Sequence, residues 1–324
     1  MHPYTLVNAL ITPMRVKPTL TYPLYLGVFS CQDPESALFR LQLFDDQMNL
    51  IKEETGYAPP VSTPQLLYFS APGKVAYQAR LYTDDVLTDL SYSWAAEQDT
   101  DPDYRSRAIY SSHWVSNLFP KAGQIVSVNL SARNVGRDGW FIACIHARDL
   151  YTLNEVITWS WANWQTVYSY GSATWAWAFT MPDADIILDF MIESHDPGLQ
   201  KYWIDYAGYL TYLLEDSPRT LTLRSDKTEV TSSEYFTLSG DATRGGKPLA
   251  NLPIAIYRNV GGKWTPFAYT VTDSLGGYTL TPVGNMLSEG NNTLKALGIP
   301  TWPGIYVAQL GGSKLASPPT LKRL

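Results

Sequence analysis

The sequence predicts an all-β chain built as three tandem antiparallel β-sandwiches, and three observations carry that prediction. The composition suits strands and tight turns: 13% of the residues are aromatic, with 22 Tyr and 11 Trp, beside 22 Gly and 22 Pro, types that favour pleated surfaces and turns over helices. Apolar and polar residues alternate from Ile125 to Ala132, with Val126, Val128, Leu130 and Ala132 on one face and Ser127, Asn129 and Ser131 on the other, the period of a half-buried antiparallel strand. Turn residues recur between such runs, most plainly in Gly245-Gly246-Lys247-Pro248 and Thr272-Asp273-Ser274-Leu275-Gly276-Gly277-Tyr278.

At 324 residues, 45% hydrophobic and 17% charged, the chain can bury two or three cores. Polar turns divide it into a unit over 1–88, a second over 89–217 with an aromatic-rich insertion, and a third over 218–324 that ends in a tail from Gly311 containing Pro318 and Pro319. An internal repeat links the first two. Phe69-Ser70-Ala71-Pro72 and Phe179-Thr180-Met181-Pro182 each lead into a strand, over 75–84 and 186–194, and Leu38 to Asp46 matches Phe141 to Asp149. Asp46 to Phe69 is 23 positions and Asp149 to Phe179 is 30, so the second copy carries a seven-residue insertion, which belongs in a surface loop. Pro72 and Pro182 sit where a missing N–H breaks no ladder. Around Asn134 and Gly136 an Asn-x-Gly turn joins two strands. In the third unit Asp273 can bond the amides of its own turn, while Gly276 or Gly277 can take positive φ.

The third unit resembles the bacterial and archaeal Ig-like, or carboxypeptidase-regulatory-like, β-sandwich repeats of surface proteins and virion appendages. The resemblance rests on Gly245 to Arg258, on Thr272 to Leu280 and on Tyr235-Phe236-Thr237-Leu238-Ser239-Gly240, under a third of the chain. The second unit is similar to Ig-like domains through the turn at Asn134 and Gly136, and the first only through its match to the second, with Asp33-Pro34 at its turn. The resemblance implies three Ig-like sandwiches that present surfaces rather than perform chemistry.

The side-chain chemistry agrees with that expectation. The net charge of −6 is scattered and offers no basic footprint for nucleic acid. No run approaches the ~20 apolar residues of a membrane span, and the start has neither basic n-region nor apolar h-region. Cys31 and Cys144 fall in different units, which argues against a bridge between them. His2, His113, His146 and His195 stand at no metal-ligand spacing, and His146 reads as a structural neighbour of Cys144. Asp99, Asp101 and Asp103 have the alternate spacing of a calcium loop but lack its glycine and its terminal Glu, so a solvated linker is the favoured reading and a calcium edge the minor one. There is no nucleophile elbow, phosphate loop or zinc-protease motif, so no catalytic residues, no enzyme and no cofactor are expected.

One feature points to binding. Trp159, Trp161, Trp164, Tyr168, Tyr170, Trp175 and Trp177 fall within nineteen residues; two strands carrying them could form a flat aromatic platform for a neighbouring subunit or a surface glycan, or could fill a core. The expectation is a structural and assembly protein, a virion capsid-surface or tail component, that binds copies of itself or neighbouring subunits and acts on the virion or extracellular surface. The alternative is a cell-surface adhesin, S-layer, pilus-like or carbohydrate-binding module.

Overall fold

The computed structural model describes residues 5–30, 37–58, 63–70, 75–83, 85–214, 219–298, 301–302, 308–310 and 320–323. Pro72, Cys31 and the Asp33-Pro34 turn lie outside them. The described chain is all-β, its strands paired into mostly antiparallel sheets that pack face to face as sandwiches, and its helical content is the single 3₁₀ turn Gly284–Met286.

The first unit contributes β1 (Thr5–Pro13), β2 (Thr21–Ser30), β3 (Ala37–Phe44), β4 (Leu50–Ala58), β5 (Thr63–Ser70), β6 (Gln78–Thr83) and β7 (Val86–Tyr92). Its sheets run β1-β2-β5 and β4-β3-β6-β7, the latter continued beyond β7 by Ala308–Leu310 and Thr301–Trp302, residues expected from the sequence in the third unit. The second unit contributes β8 (Ala108–Val115), β9 (Ile125–Asn134), β10 (Gly139–Asp149), β11 (Glu155–Trp161), β12 (Gln165–Val167), β13 (Ser172–Thr180), β14 (Ile186–Asp196) and β15 (Lys201–Tyr212). Its sheets run β8-β9-β13 and β11-β10-β14-β15, with the short β12 beside β10. The strand order of the first unit is thus repeated in the second, and the segments matched in sequence, β3 with β10 and β6 with β14, occupy equivalent places. The inserted residues form β12 and the turns flanking it.

The division expected at residue 88 does not separate two bodies. β1 pairs antiparallel with β15, Ala9 opposite Leu210 and Ile11 opposite Gly208, so the three-stranded sheet of the first unit continues the four-stranded sheet of the second. On one face of this joint sheet Phe141, Ile145, Phe190, Leu188, Leu210 and Ile11 follow one another in register and pack under β8-β9-β13 through Val126, Val128, Leu130 and Trp175, all in one cluster. On the other face Leu10, Leu26 and Tyr209 meet β6 and β7, where the Tyr209 hydroxyl donates to Ser91 Oγ at 2.6 Å and Asp89 accepts the Val7 amide at 2.7 Å. The middle strands are therefore covered on both faces, and a single hydrophobic cluster runs from Val7 to Leu214. A doubly covered strand loses the polar alternation that marks a unit's exposed side.

The expected boundary at 217 falls among the undescribed residues 215–218; beyond them a separate cluster runs from Leu221 to Ala296. Here β16 (Arg219–Leu221), β17 (Leu238–Arg244) and β20 (Gly277–Leu280) face β18 (Pro253–Val260), β19 (Lys263–Val271) and β21 (Gly290–Gly298). This third sandwich touches the second through Lys247 Nζ and Asp183, 2.6 Å apart, and through Arg244, which donates to the Asp183 carbonyl at 2.9 Å.

The turns have simple local causes. Asn134 is fully buried; its Oδ1 accepts the Gly136 amide at 2.9 Å and its Nδ2 donates to the Arg137 and Val167 carbonyls at 2.7 and 3.0 Å. A Cβ on Gly136 would stand 1.6 Å from the Arg105 carbonyl oxygen. Asp273 Oδ1 accepts the Leu275 and Gly277 amides at 2.8 and 2.9 Å. Of the two glycines that could take positive φ, Gly276 does, at +77°, and its Cβ would meet the Ala242 oxygen at 2.5 Å, whereas Gly277 meets only the Asp273 carboxylate at 3.2 Å. Pro182 lies between β13 and β14, ahead of the first ladder bond of β14. Gly276→Val is expected to destabilise the third sandwich by about 1–3 kcal/mol and to leave the melting of the 5–214 body unchanged, while Gly277→Ala has the smaller effect; differential scanning calorimetry of the two variants checks this.

Candidate functional site

The acidic run resolves into ion pairs. Asp99 is buried; its Oδ2 accepts from Arg105 Nε at 2.7 Å and from Arg107 Nη2 at 2.8 Å. Burial pushes its carboxyl up, but the two guanidiniums outweigh burial and hold it below the usual range. Asp101 accepts from Lys201 Nζ and Trp203 Nε1, both at 2.8 Å, and Asp103 from Lys17 at 2.6 Å. The solvated-linker reading is corrected accordingly: Asp99 is buried, and the three carboxylates enter different ion pairs with cations of the chain itself rather than facing one centre. Among the described residues no group of three or more His, Cys, Asp or Glu is placed to hold a metal ion.

Arg105 is the centre of this cluster. It is fully buried, donates to Asp205 Oδ1 at 2.8 Å and to the Ser106 carbonyl at 2.6 Å, and lies 4.3 Å over the Trp203 ring. Asp205 occupies a register shift between β14 and β15, and that bulge frees its second oxygen for the Ala108 amide and the Ser194 hydroxyl, at 2.7 and 2.6 Å. Removing one partner strands a buried charge, so Arg105→Met is expected to cost about 3–5 kcal/mol, read by chemical denaturation.

The aromatic block divides between opposite sides of the sandwich. β11 belongs to the joint sheet and β13 to the sheet facing it, so the two strands do not build one platform. Trp175 is 2% exposed and packs in the core, Trp177 and Phe179 lie half-buried against that core, and these positions leave the expected contact surface. Tyr168 and Tyr170 are exposed in the turn between β12 and β13, with Tyr170 at φ 62°. Trp159, Trp161 and Trp164, 42, 49 and 44% exposed, stand on the outer face of the joint sheet, beyond the part that β6 and β7 cover.

Residues from other strands complete that face. Trp140 on β10 stacks on His195 of β14 at 5.0 Å, and His195 on Tyr202 of β15 at 4.1 Å, the cross-strand order that the register sets. Trp164 meets Tyr202 edge-on at 5.9 Å. Trp159 stacks on His146 at 4.6 Å and 11°, and Trp161 stands opposite Cys144 in the register. Beneath this layer Ile142 and Cys144 are buried, and burial pushes the Cys144 thiol up to about 12, which keeps it inert. Glu193 is half-buried on the same face, its carboxyl raised by burial and then by Asp205. Trp140, Tyr202 and Glu193 were not singled out in the sequence, and His195 was weighed there only as a metal ligand; their signal is alternation, since Trp140, Ile142, Cys144 and His146 fall on one side of β10, as do Glu193 and His195 on β14.

His146 Nε2 lies 3.0 Å from Glu155 and Nδ1 3.4 Å from Asp189. The bond to Asp189 first, then Glu155, raises its pKa above the usual 6.5 against the pull of burial. His113, bonded to the Tyr110 hydroxyl, is depressed by burial to about 4.

No protein-family model matches the chain, and no curated protein matches it. Among solved structures, trypsin-activated alpha-2-macroglobulin from Escherichia coli is 9% identical over 96% of this chain and 24% of its own, with TM-score 0.30. The tetra-tandem repeat in the extending region of a large adhesion protein is 14% identical over 98% and 74%, TM-score 0.33, and the D0-D1 domain of intimin 12% over 66% and 98%, TM-score 0.23. The chain spans about a quarter of the macroglobulin's length. TM-scores this low establish no common fold. Among the described residues no helix is long and apolar enough to cross a membrane.

A raised pKa in the fold means that His146 contributes stability in full below pH 6.5 and that the contribution fades as pH climbs through the elevated value. In an NMR titration His146 is expected to titrate above 6.5, and Asp189→Asn to move it down.

Proposed function

We propose that the protein is a non-enzymatic structural and attachment element that binds a protein neighbour through the aromatic face of β10, β11, β14 and β15. The observation that carries this reading is the continuity of Trp140, Trp159, Trp161, Trp164 and Tyr202, every one more than two fifths exposed, on a sheet made rigid by burial of its other face. Aromatic anchors of this kind dominate interface energetics, and a contiguous exposed apolar patch on a folded domain marks a contact site.

The stacking order favours a protein over a glycan. Trp140, His195 and Tyr202 stack ring face on ring face with one another, whereas a sugar ring stacks on an open face. Glu193, half-buried among them, calls for a cation, so the fitting partner presents aliphatic or aromatic side chains around a Lys or Arg. The setting we propose is an exposed array: the surface or tail of a virion, or a cell-surface adhesin, where tandem sandwiches serve as rigid spacers. That setting is an analogy at the level of fold.

Trp161→Ala/Tyr202→Ala is expected to keep the melting temperature within a few degrees of the parent, as surface substitutions do, yet to lose incorporation into the native assembly. Trp175→Ala is expected to cost about 3–5 kcal/mol and to fail as a folded protein. A large drop in melting temperature for the surface pair sinks the contact reading, and glycan-array binding lost in the same pair replaces it with the glycan one.

A further inference from the structure

Among the described residues, the long edge strands carry devices against further pairing, with one exception. β4 holds Lys52, Glu53 and Glu54, β5 holds Pro64, and β19 holds Lys263 and Pro266. β8 has a register shift between Tyr110 and Ser112, and β11 has two shifts and begins at Glu155. Charge, proline and bulges are the means by which natural sheets keep edges from pairing. β13, Ser172–Thr180, is the outer strand of β8-β9-β13; its nine residues include no charge and no proline, and it pairs with β9 over nine positions without a shift.

The unprotected edge is also open. Met181 donates its amide to the Gln124 carbonyl and accepts at its own carbonyl from Gly123, so in the antiparallel ladder the odd-numbered residues face β9 and Thr174, Ala176 and Ala178 direct their amides and carbonyls outward. Among the described residues no strand pairs with that side. The Thr174 carbonyl accepts from the side chain of Gln165 at 2.7 Å, a donor that stands where a strand amide would. The side chains of Thr174, Ala176 and Ala178 are exposed and small.

The strand is also close to palindromic. About Ala176, Trp175 mirrors Trp177, Thr174 mirrors Ala178, small Ala173 mirrors large Phe179, and Ser172 mirrors Thr180. We propose that β13 is the interface for a second copy of this chain, pairing antiparallel with the partner's β13 about a two-fold axis at Ala176, so that β8-β9-β13 becomes half of a continuous six-stranded sheet. Thr174 then exchanges both backbone bonds with Ala178 of the partner subunit, which releases the Gln165 amide. Trp175 and Trp177, on the inner side, line up with their counterparts and extend the core across the axis. The contact is isologous, sets no like charges opposite one another, and is separate from the aromatic face of the joint sheet.

Sedimentation velocity of the full chain over a concentration series tests this. The parent is expected to dimerise reversibly. Ala178→Lys, at an exposed position, and Ala176→Pro, which removes an amide that β9 does not use, are each expected to weaken the dimer by about tenfold or more. Across the axis the Ala176 Cα atoms would be about 5.5 Å apart, within disulfide reach, so Ala176→Cys is expected to give a disulfide-linked dimer on oxidation that neither the parent nor Ser131→Cys gives. If Ala176→Pro misfolds by circular dichroism, Ala178→Lys and the cross-link decide. A parent monomeric throughout with no Ala176→Cys cross-link overturns the proposal, as does a dimer indifferent to Ala178→Lys. A dimer lost in Trp161→Ala/Tyr202→Ala instead moves the interface to the aromatic face and overturns it too.

Discussion

The joint between β1 and β15 is the constraint on which the rest of the molecule depends. Five positions pair in register from Ala9 to Pro13, and the line continues past the strand, where the Met14 amide donates to the Asp205 carbonyl at 2.7 Å. At that point the bulge at Asp205 turns its carboxylate into the buried cluster with Arg105, Asp99 and Arg107. The segment 97–107 is thereby pinned to both units: Glu97 donates its amide to the Met14 carbonyl and Asp99 to that of Val16, while Arg105 reaches across to β15. Buried charges of this kind add little net stability over an apolar filling but punish every arrangement that leaves one unpaired. Their effect is to specify one geometry for the junction.

The stagger of the layers follows from the joint. Because the three-stranded sheet of one unit continues the four-stranded sheet of the next, each covering sheet lies on a different face, and they overlap only over the middle strands. Where they overlap, β1 and β15 are buried on both sides and read as continuous apolar runs, Leu10 with Ile11 and Tyr209 with Leu210. Where they do not, no sheet among the described residues covers one face of β10, β11 and β14. The indoles and the phenol of Tyr202 lie there as a thin layer over Ile142 and Cys144, wide enough to dry the sheet beneath and still exposed above.

The two histidines of that layer are held in different ways. His146 is gripped by carboxylates on both ring nitrogens and shares its face with Trp159, whereas His195 is enclosed between Trp140 and Tyr202. The outer face is thus ordered by ring stacking and by ion pairs at its margin, an order that would limit the entropy lost in the contact proposed for it.

The sequence by itself determined the local features. The Asn134-Gly136 turn and the Asp273-Gly276 turn were legible because a short polar side chain bonds amides within four residues and only glycine tolerates the backbone approach that results. The alternation along β9 was legible because its partners cover one side only, and the repeat of β3 and β6 in β10 and β14 because equivalent strands keep equivalent patterns. What tertiary structure decided is which face of each strand is covered. Trp161 and Trp175 have the same neighbours in kind and the same alternating setting, yet one is exposed and the other lies in the core, because β11 and β13 enter different sheets. Nor could residue 88 be seen to lie inside one body, since the partner of Ala9 is Leu210, and Asp99 read as a solvated acid until Arg105 and Arg107 closed over it. Side-chain period is a property of a strand alone, whereas burial is a property of the layer laid against it, and that layer comes from residues far away in the chain.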